Sequence, residues 1–151
     1  MTLNNFFKFC QDLQAISMDN LLGIDYGNKN IGLALAPKSL MALGFQVLPN
    51  DKNFFEKLEV IIKEHAISKI IIGFPLNMDG TESTQTTTTE NFCAQLKAKF
   101  SQVSIIRYDE RLSTVEAKKN LTGKKNYDAE AARIILQGYL DASKYQTNKN
   151  K

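Results

Sequence analysis

Gly23-Ile24-Asp25-Tyr26-Gly27-Asn28-Lys29-Asn30-Ile31-Gly32 is the stretch that decides how this chain folds. An apolar run from Leu21 to Ile24 ends on a carboxylate, turns through glycine and asparagine, and resumes as a second apolar run at Ile31. That order reads as two paired strands joined by a tight turn. Leu21, Leu22 and Ile24 have the continuous apolarity of a strand covered on both faces, where an ionised Asp25 is costly unless a cation or hydrogen-bond donors compensate it. On this segment two readings of Asp25 stay open: a metal ligand, or a turn aspartate accepting backbone N–H bonds, because Asp-x-Gly is common turn chemistry.

Working outward, periodicity predicts strands over 21–26 and 30–36 and a weaker third over 43–48. Asn50 or Asp51 is expected to cap a helix whose apolar face is Phe54, Leu58, Ile61 and Ile62, with His65 half-buried at its end. Lys69 to Phe74 reads as a buried strand. A polar loop follows, then a helix carrying Phe92, Cys93, Leu96 and Phe100, a strand over 103–108, and helices over roughly 114–121 and 128–142. In Ser83 to Thr89 the β-branched threonines lose rotamer freedom in a helix, so the second helix is expected to start late; of two roles for its hydroxyls, structural caps or contacts to phosphate, the structural one is favoured.

The order βββαβαβα implies an α/β protein: a meander followed by two right-handed crossover units, giving a five-stranded mixed sheet with helices on both faces and the first strand central. In such sheets sites gather at the carboxyl ends of parallel strands, here near Asp25, Phe74-Pro75 and Asp109-Glu110.

Composition narrows the chemistry. The chain has 151 residues, enough for one domain with a substantial core. Two cysteines, Cys10 and Cys93, and the single His65 leave no Cys/His zinc site and no promising Ser-His or Cys-His pair. Catalysis, if present, rests on carboxylates. No apolar run approaches the ~20 residues that span a bilayer, and the N-terminus lacks a basic start, apolar core and small-residue cleavage site, so a soluble, cytoplasmic protein with no membrane partner is expected. Residues 1–20 read as an N-terminal extension with the helical stripe Leu3, Phe6, Phe7, Cys10 and Leu13, and Met18 directly precedes the start of the folded pattern. Residues 21–142 form the domain, and 143–151 read as a basic flexible tail.

Net charge is only +3, but it is unevenly spread. Residues 1–106 hold nine Lys/Arg against ten Asp/Glu, whereas residues 107–151 hold ten against six. Lys118, Lys119, Lys124, Lys125 and Arg133 lie close in sequence to acidic positions, as a phosphate-backbone footprint requires.

In Asp109-Glu110-Arg111-Leu112-Ser113-Thr114-Val115-Glu116, Ser113 and Glu116 match a capping box and read as structural. Adjacent strand residues face opposite ways, so one of Asp109 and Glu110 is expected to point toward Asp25. Arg111 is placed either to clamp a phosphate bidentately or to pair with a neighbouring carboxylate. Asp128 opens the last helix and by itself reads as an ordinary cap. Three separated acids converging on one sheet edge would suit hard divalent cations.

Four blocks together carry a resemblance: GIDYGNKNIGLAL (23–35), IIGFPLNMDGTE (71–82), YDERLSTVEA (108–117) and DAEAARIILQGYL (128–140). In this order and spacing the chain resembles the YqgF/RuvX family over about residues 21–142. The resemblance implies a ribonuclease H-like fold and a nuclease. Its expected activity is hydrolysis of phosphodiester bonds in the maturation of the 5′ end of pre-16S rRNA, with resolution of four-way DNA (Holliday) junctions as the alternative and a non-cleaving nucleic-acid-binding factor as a third. It further implies Asp25, Glu110 and Asp128 as catalytic acids holding two Mg²⁺ or Mn²⁺ ions about 4 Å apart. Lys29, Asn77, Thr81 and Arg111, with Lys118, Lys119, Lys124 and Lys125, are then the expected nucleic-acid contacts. Structured RNA is the preferred partner, branched DNA the other, and a monomer or homodimer is expected. Threonines stand after Glu82 where the family usually has arginines. The actin-like ATPases share this sheet and a similar Asp-x-Gly loop, but bind nucleotide between two such domains, and one domain of this length has no second loop to offer.

Overall fold

The computed structural model describes residues 2–8, 19–77, 79–112 and 126–149. The expected helix over 114–121, the Ser113–Glu116 box and the four lysines Lys118, Lys119, Lys124 and Lys125 lie outside them, as do Cys10, Leu13 and Met18.

Five strands form one sheet: β1 (Asn20–Asp25), β2 (Asn30–Ala36), β3 (Leu43–Pro49), β4 (Ile67–Phe74) and β5 (Ser104–Asp109), in the order β3-β2-β1-β4-β5. β1 is central, antiparallel to β2 and parallel to β4. β3 joins β2 antiparallel and β5 joins β4 parallel, so the sheet is mixed as the sequence implied. Three long helices, α1 (Phe54–Glu64), α2 (Thr84–Lys99) and α3 (Tyr127–Lys149), complete the βββαβαβα order.

Strand alternation divides the core in two. Leu22, Ile24, Ile31, Leu33, Ile70 and Ile72 pack with Phe54, Leu58 and Ile61 of α1 and Phe92, Cys93 and Leu96 of α2. Leu21, Ala34, Ala36 and Ile71 pack with Ala132, Ile135, Leu136 and Leu140 of α3 on the opposite face. The second cluster is built from smaller residues because α3 lies close to the sheet. A Cβ on Gly23 would sit 2.8 Å from the Leu136 Cβ and 3.0 Å from the Ala132 carbonyl oxygen. Gly23 therefore faces α3, and Asp25, two residues on, faces the same way.

Three local expectations are corrected. α1 begins after Asn53, whose side chain makes no capping bond; Asp51 instead closes the preceding turn, accepting the Asn53 N–H at 2.9 Å, and Asn50 is used elsewhere. α2 does not start late. Ser83 caps it, accepting the Thr86 N–H at 3.3 Å while the Thr86 hydroxyl accepts the Ser83 N–H at 3.0 Å, and the hydroxyls of Thr88 and Thr89 donate to carbonyls one turn back. Those bonds occupy the threonine hydroxyls within the helix. Finally, α3 continues through residues expected in a flexible tail, reaching Lys149. No Gly or Pro follows Gly138 to stop it, and the Ser143 hydroxyl donates to the Tyr139 carbonyl at 2.9 Å.

The extension contains a short helical turn over 3–8, begun by the Asn5 N–H donating to the Thr2 hydroxyl at 3.3 Å. Leu3, Phe6 and Phe7 are exposed on it. Among the described residues no helix is long and apolar enough to cross a membrane.

Candidate active site

β1 ends at Asp25 because the turn that follows is pinned from outside. The Asn50 backbone N–H donates to the Lys29 carbonyl at 2.8 Å, and its side-chain amide donates to the Gly27 carbonyl at 2.9 Å and to the Tyr26 hydroxyl at 3.2 Å. The Tyr26 ring rests on Phe92 of α2, centroids 4.5 Å apart. Asp25 thus leaves the sheet at a fixed point, half-buried, with exposed Lys29 on the same turn.

Its neighbours in the sheet are both glycines. Asp25 pairs directly with Gly32 of β2, and the parallel register that sets Ile24 beside Ile72 puts Gly73 of β4 next to Asp25 on the other side. Each glycine makes room for another acid. The backbone of Asp128, at the start of α3, sits on Gly32 so closely that a Cβ there would overlap the Asp128 carbonyl group and come within 3.0 Å of the Ala129 nitrogen. The Glu110 side chain lies over Gly73, where a Cβ would collide with its carboxylate, approach its Cγ at 3.0 Å and meet the Ile135 Cδ1 at 2.6 Å. Only glycine leaves space for both approaches. Asp25, Glu110 and Asp128 are consequently carried to one edge, on the α3 face, by three different elements, and all three are half-buried. Among the described residues, however, no three His, Cys, Asp or Glu side chains are gathered into a group that could hold a metal ion. Carboxylates of like charge have no attraction of their own to draw them together.

Arg111 separates the two members of the Asp109-Glu110 pair. Its Nε donates to both Asp109 carboxylate oxygens at 3.0 Å, its Nη2 donates to Oδ2 at 2.5 Å, and its backbone N–H donates to Oδ1 at 3.0 Å. Those hydrogen bonds hold the Asp109 carboxyl below the usual carboxylate range against a smaller opposing desolvation. Asp109 is engaged by Arg111, and Glu110 is the residue turned over Gly73. Of the two readings of Arg111, pairing with a neighbouring carboxylate is the observed one.

The other expected contacts divide by place. Asn77 and Thr81 close their own loop: the Asn77 side-chain amide donates to the Thr81 hydroxyl at 2.9 Å, and the Thr81 hydroxyl and N–H donate to Asp79 Oδ1 at 2.6 and 2.9 Å. The side-chain bond from Thr81 is the main reason that the Asp79 carboxyl also lies below its usual range. Thr86 ties this loop's stem to α2 by donating to the Pro75 carbonyl at 2.7 Å. Sequence reasoning gave Gly32 no role at the site and gave Asn50 only that of a helix cap. A signal for Gly32 exists in hindsight, since a glycine inside a strand marks a close backbone approach. The role of Asn50 in the turn carried no signal, because it depends on the β3 end meeting the β1–β2 turn.

The chain is similar to known proteins over most of its length. The RuvX family, described as a Holliday junction resolvase, matches residues 19–142. A Ruminiclostridium cellulolyticum protein named "Putative pre-16S rRNA nuclease" is 38% identical over 133 residues, covering 80% of this chain and 93% of that one. A Sulfurihydrogenibium protein of the same name is 41% identical over 132 residues, covering 82% and 91%. Among solved structures, T. thermophilus RuvC in complex with Holliday junction substrate superposes with a TM-score of 0.57 at 14% identity, over 83% of this chain and 96% of that one. At that identity the likeness establishes the fold, which is ribonuclease H-like. The family match takes in all five strands, the three acids and most of α3, and the chain belongs to the RuvX family.

Proposed function

We propose that the chain is a metal-dependent endonuclease that hydrolyses phosphodiester bonds in structured RNA, acting in the maturation of the 5′ end of pre-16S rRNA. One observation carries the site: β1, the end of β5 and the start of α3 bring Asp25, Glu110 and Asp128 to one sheet edge over two glycines that a Cβ would block. An all-oxygen, anionic donor set suits Mg²⁺ or Mn²⁺ and excludes soft-metal chemistry. Asp25, Glu110 and Asp128 are the residues that would hold the ions. When bound, such ions activate water for in-line attack and stabilise the charge on the leaving oxygen.

The chain's own residues supply the rest. The pinned turn holds Asp25 without the reorganisation that a mobile loop would need, and exposed Lys29, on the same turn, is the contact we assign to the phosphodiester anion. The substrate assignment follows the names of relatives at 38% and 41% identity. Four-way DNA is the second reading, favoured by the family's own description.

A cleavage assay that offers precursor 16S rRNA and four-way DNA junctions side by side, in Mg²⁺, Mn²⁺, Ca²⁺ and chelator, tests both. Cleavage of the RNA in Mg²⁺ or Mn²⁺, none in Ca²⁺ alone or chelator, and none by Asp25→Asn is expected. Asp25→Asn conserves the size of the side chain, so a melting temperature near that of wild type without metal is the control that lost cleavage is lost chemistry and not lost fold. Junction cleavage alone selects the second reading. An Asp25→Asn protein that cuts at the wild-type rate removes the acids from the chemistry.

A further inference from the structure

Glu110 sits between two residues that grip each other. The Arg111 N–H bond to Asp109 Oδ1 closes an Asx-type turn with Glu110 at its centre, which fixes the Glu110 backbone. The Arg111 side chain then folds back onto the same carboxylate through Nε and Nη2, a second lock across the same residue. Asp109 is itself the last residue of β5, in register with Phe74 of β4, so both locks are anchored to the sheet. On its outer side the guanidinium rests against the 77–81 loop. Nη1 lies 3.3 Å from where a Cβ on Gly80 would stand, and Gly80 has a φ of +85°.

We infer that Arg111 is a positioning residue for Glu110: by holding Asp109 and bracing the 77–81 loop it aims the Glu110 carboxylate over Gly73, and it takes no phosphate of the substrate. The inference rests on the nuclease reading for its catalytic consequence and on geometry alone for its structural one. The planar fork of arginine is essential to it, because an ammonium group presents no fixed pair of donors to both oxygens of Asp109. A phosphate clamp would instead contribute binding energy to the substrate and leave Glu110 where it is.

The test compares wild type with Arg111→Lys, Arg111→Ala, Asp109→Asn and the Arg111→Ala/Asp109→Asn double variant on the precursor RNA at several salt concentrations. Positioning predicts that kcat falls about 10- to 100-fold in every variant, as for a misplacement of ~1 Å. KM and the dependence of log K on log salt should stay at wild-type values, and the double variant should be no slower than the slower single one. A raised KM with the salt slope flattened by about 0.7–0.9 in Arg111→Ala identifies a phosphate clamp and overturns the inference. So does an Arg111→Lys protein with wild-type kcat. Amide hydrogen exchange provides a readout that does not depend on cleavage: Arg111→Lys and Asp109→Asn should both speed exchange at residue 111 and at Gly80. If wild type cleaves neither the RNA nor four-way DNA, the nuclease reading has failed, and unchanged exchange at those amides would separately overturn the positioning role.

Discussion

Gly32 and Gly73 lie on either side of Asp25, yet a methyl group meets different neighbours at each. At Gly32 the obstacle is the backbone of Asp128 and Ala129, which can move only if the start of α3 moves. At Gly73 it is the end of the Glu110 side chain and the Ile135 Cδ1, both able to rotate. Gly32→Ala should therefore lower stability by about 1–3 kcal/mol, the usual range for overpacking, and abolish cleavage. Gly73→Ala should melt closer to wild type but still lose most of its activity, because Glu110 is displaced. Thermal melts and initial rates on the same two proteins check this, and wild-type cleavage by Gly73→Ala would mean that the position of Glu110 is immaterial. The Asp109–Arg111 pair adds a dependence on pH. Arg111 bonding lowers the folded-state value of the Asp109 carboxyl, so the pair's stabilisation is complete above the unfolded carboxylate value, ~3.9, and is lost as pH falls through the folded value. The pair is solvent-accessible, so the effect is local ordering and not global stability. An NMR titration of the Asp109 carboxyl should place its midpoint below that of an ordinary aspartate; a midpoint at or above it would contradict the pairing.

Elements were legible in proportion to how local their causes are. The strand pair around Gly23 to Gly32 was readable because apolar runs and turn residues alternate within ten positions, and its observed bounds, Asn20–Asp25 and Asn30–Ala36, fall within a residue of expectation. The start of α2 was misread because threonine propensity argued against it, while the bonds that secure it, from Ser83 to Thr86 and from Thr86 to Pro75, include one to a different segment. The site followed the same rule. That Asp25 closes an apolar run before a turn is local, although Asn50, which pins the turn, comes from the end of β3; that Asp109 is consumed by Arg111 while Glu110 turns inward depends on side-chain geometry that alternation leaves undecided. The N-terminal extension is an element whose contribution can be removed outright. Leu3, Phe6 and Phe7 are exposed, and among the described residues the buried core begins at Leu21. A chain begun at Met18 should accordingly fold and keep its cleavage rate, with at most a small drop in melting temperature. An insoluble or unfolded product would assign the extension to the core.

At the scale of the whole molecule the question is how a protein of net charge +3 grips a polyanion. The three arginines of the chain are all engaged by carboxylates. Arg111 is committed to Asp109, Arg133 donates to Glu130 at 2.8 Å, and Arg107 pairs with Glu90 while lying over the Phe74 ring. The four lysines at 118, 119, 124 and 125 belong to the segment that connects Glu110 to Asp128 in sequence, and with Lys29 they are the cations the nuclease reading requires for binding. If each neutralises a phosphate, replacing it should flatten the dependence of log K on log salt by roughly 0.7–0.9, and binding should weaken alike across sequences. Lys144 and Lys149, on the exposed C-terminal part of α3 and remote in sequence from the acids, should change the slope less. Measuring RNA affinity at several salt concentrations for wild type, a four-lysine variant and a Lys144/Lys149 variant separates local grip from diffuse attraction. Equal slopes in all three proteins would leave the acids without a polyanion partner and shift the burden of binding away from the segment between Glu110 and Asp128.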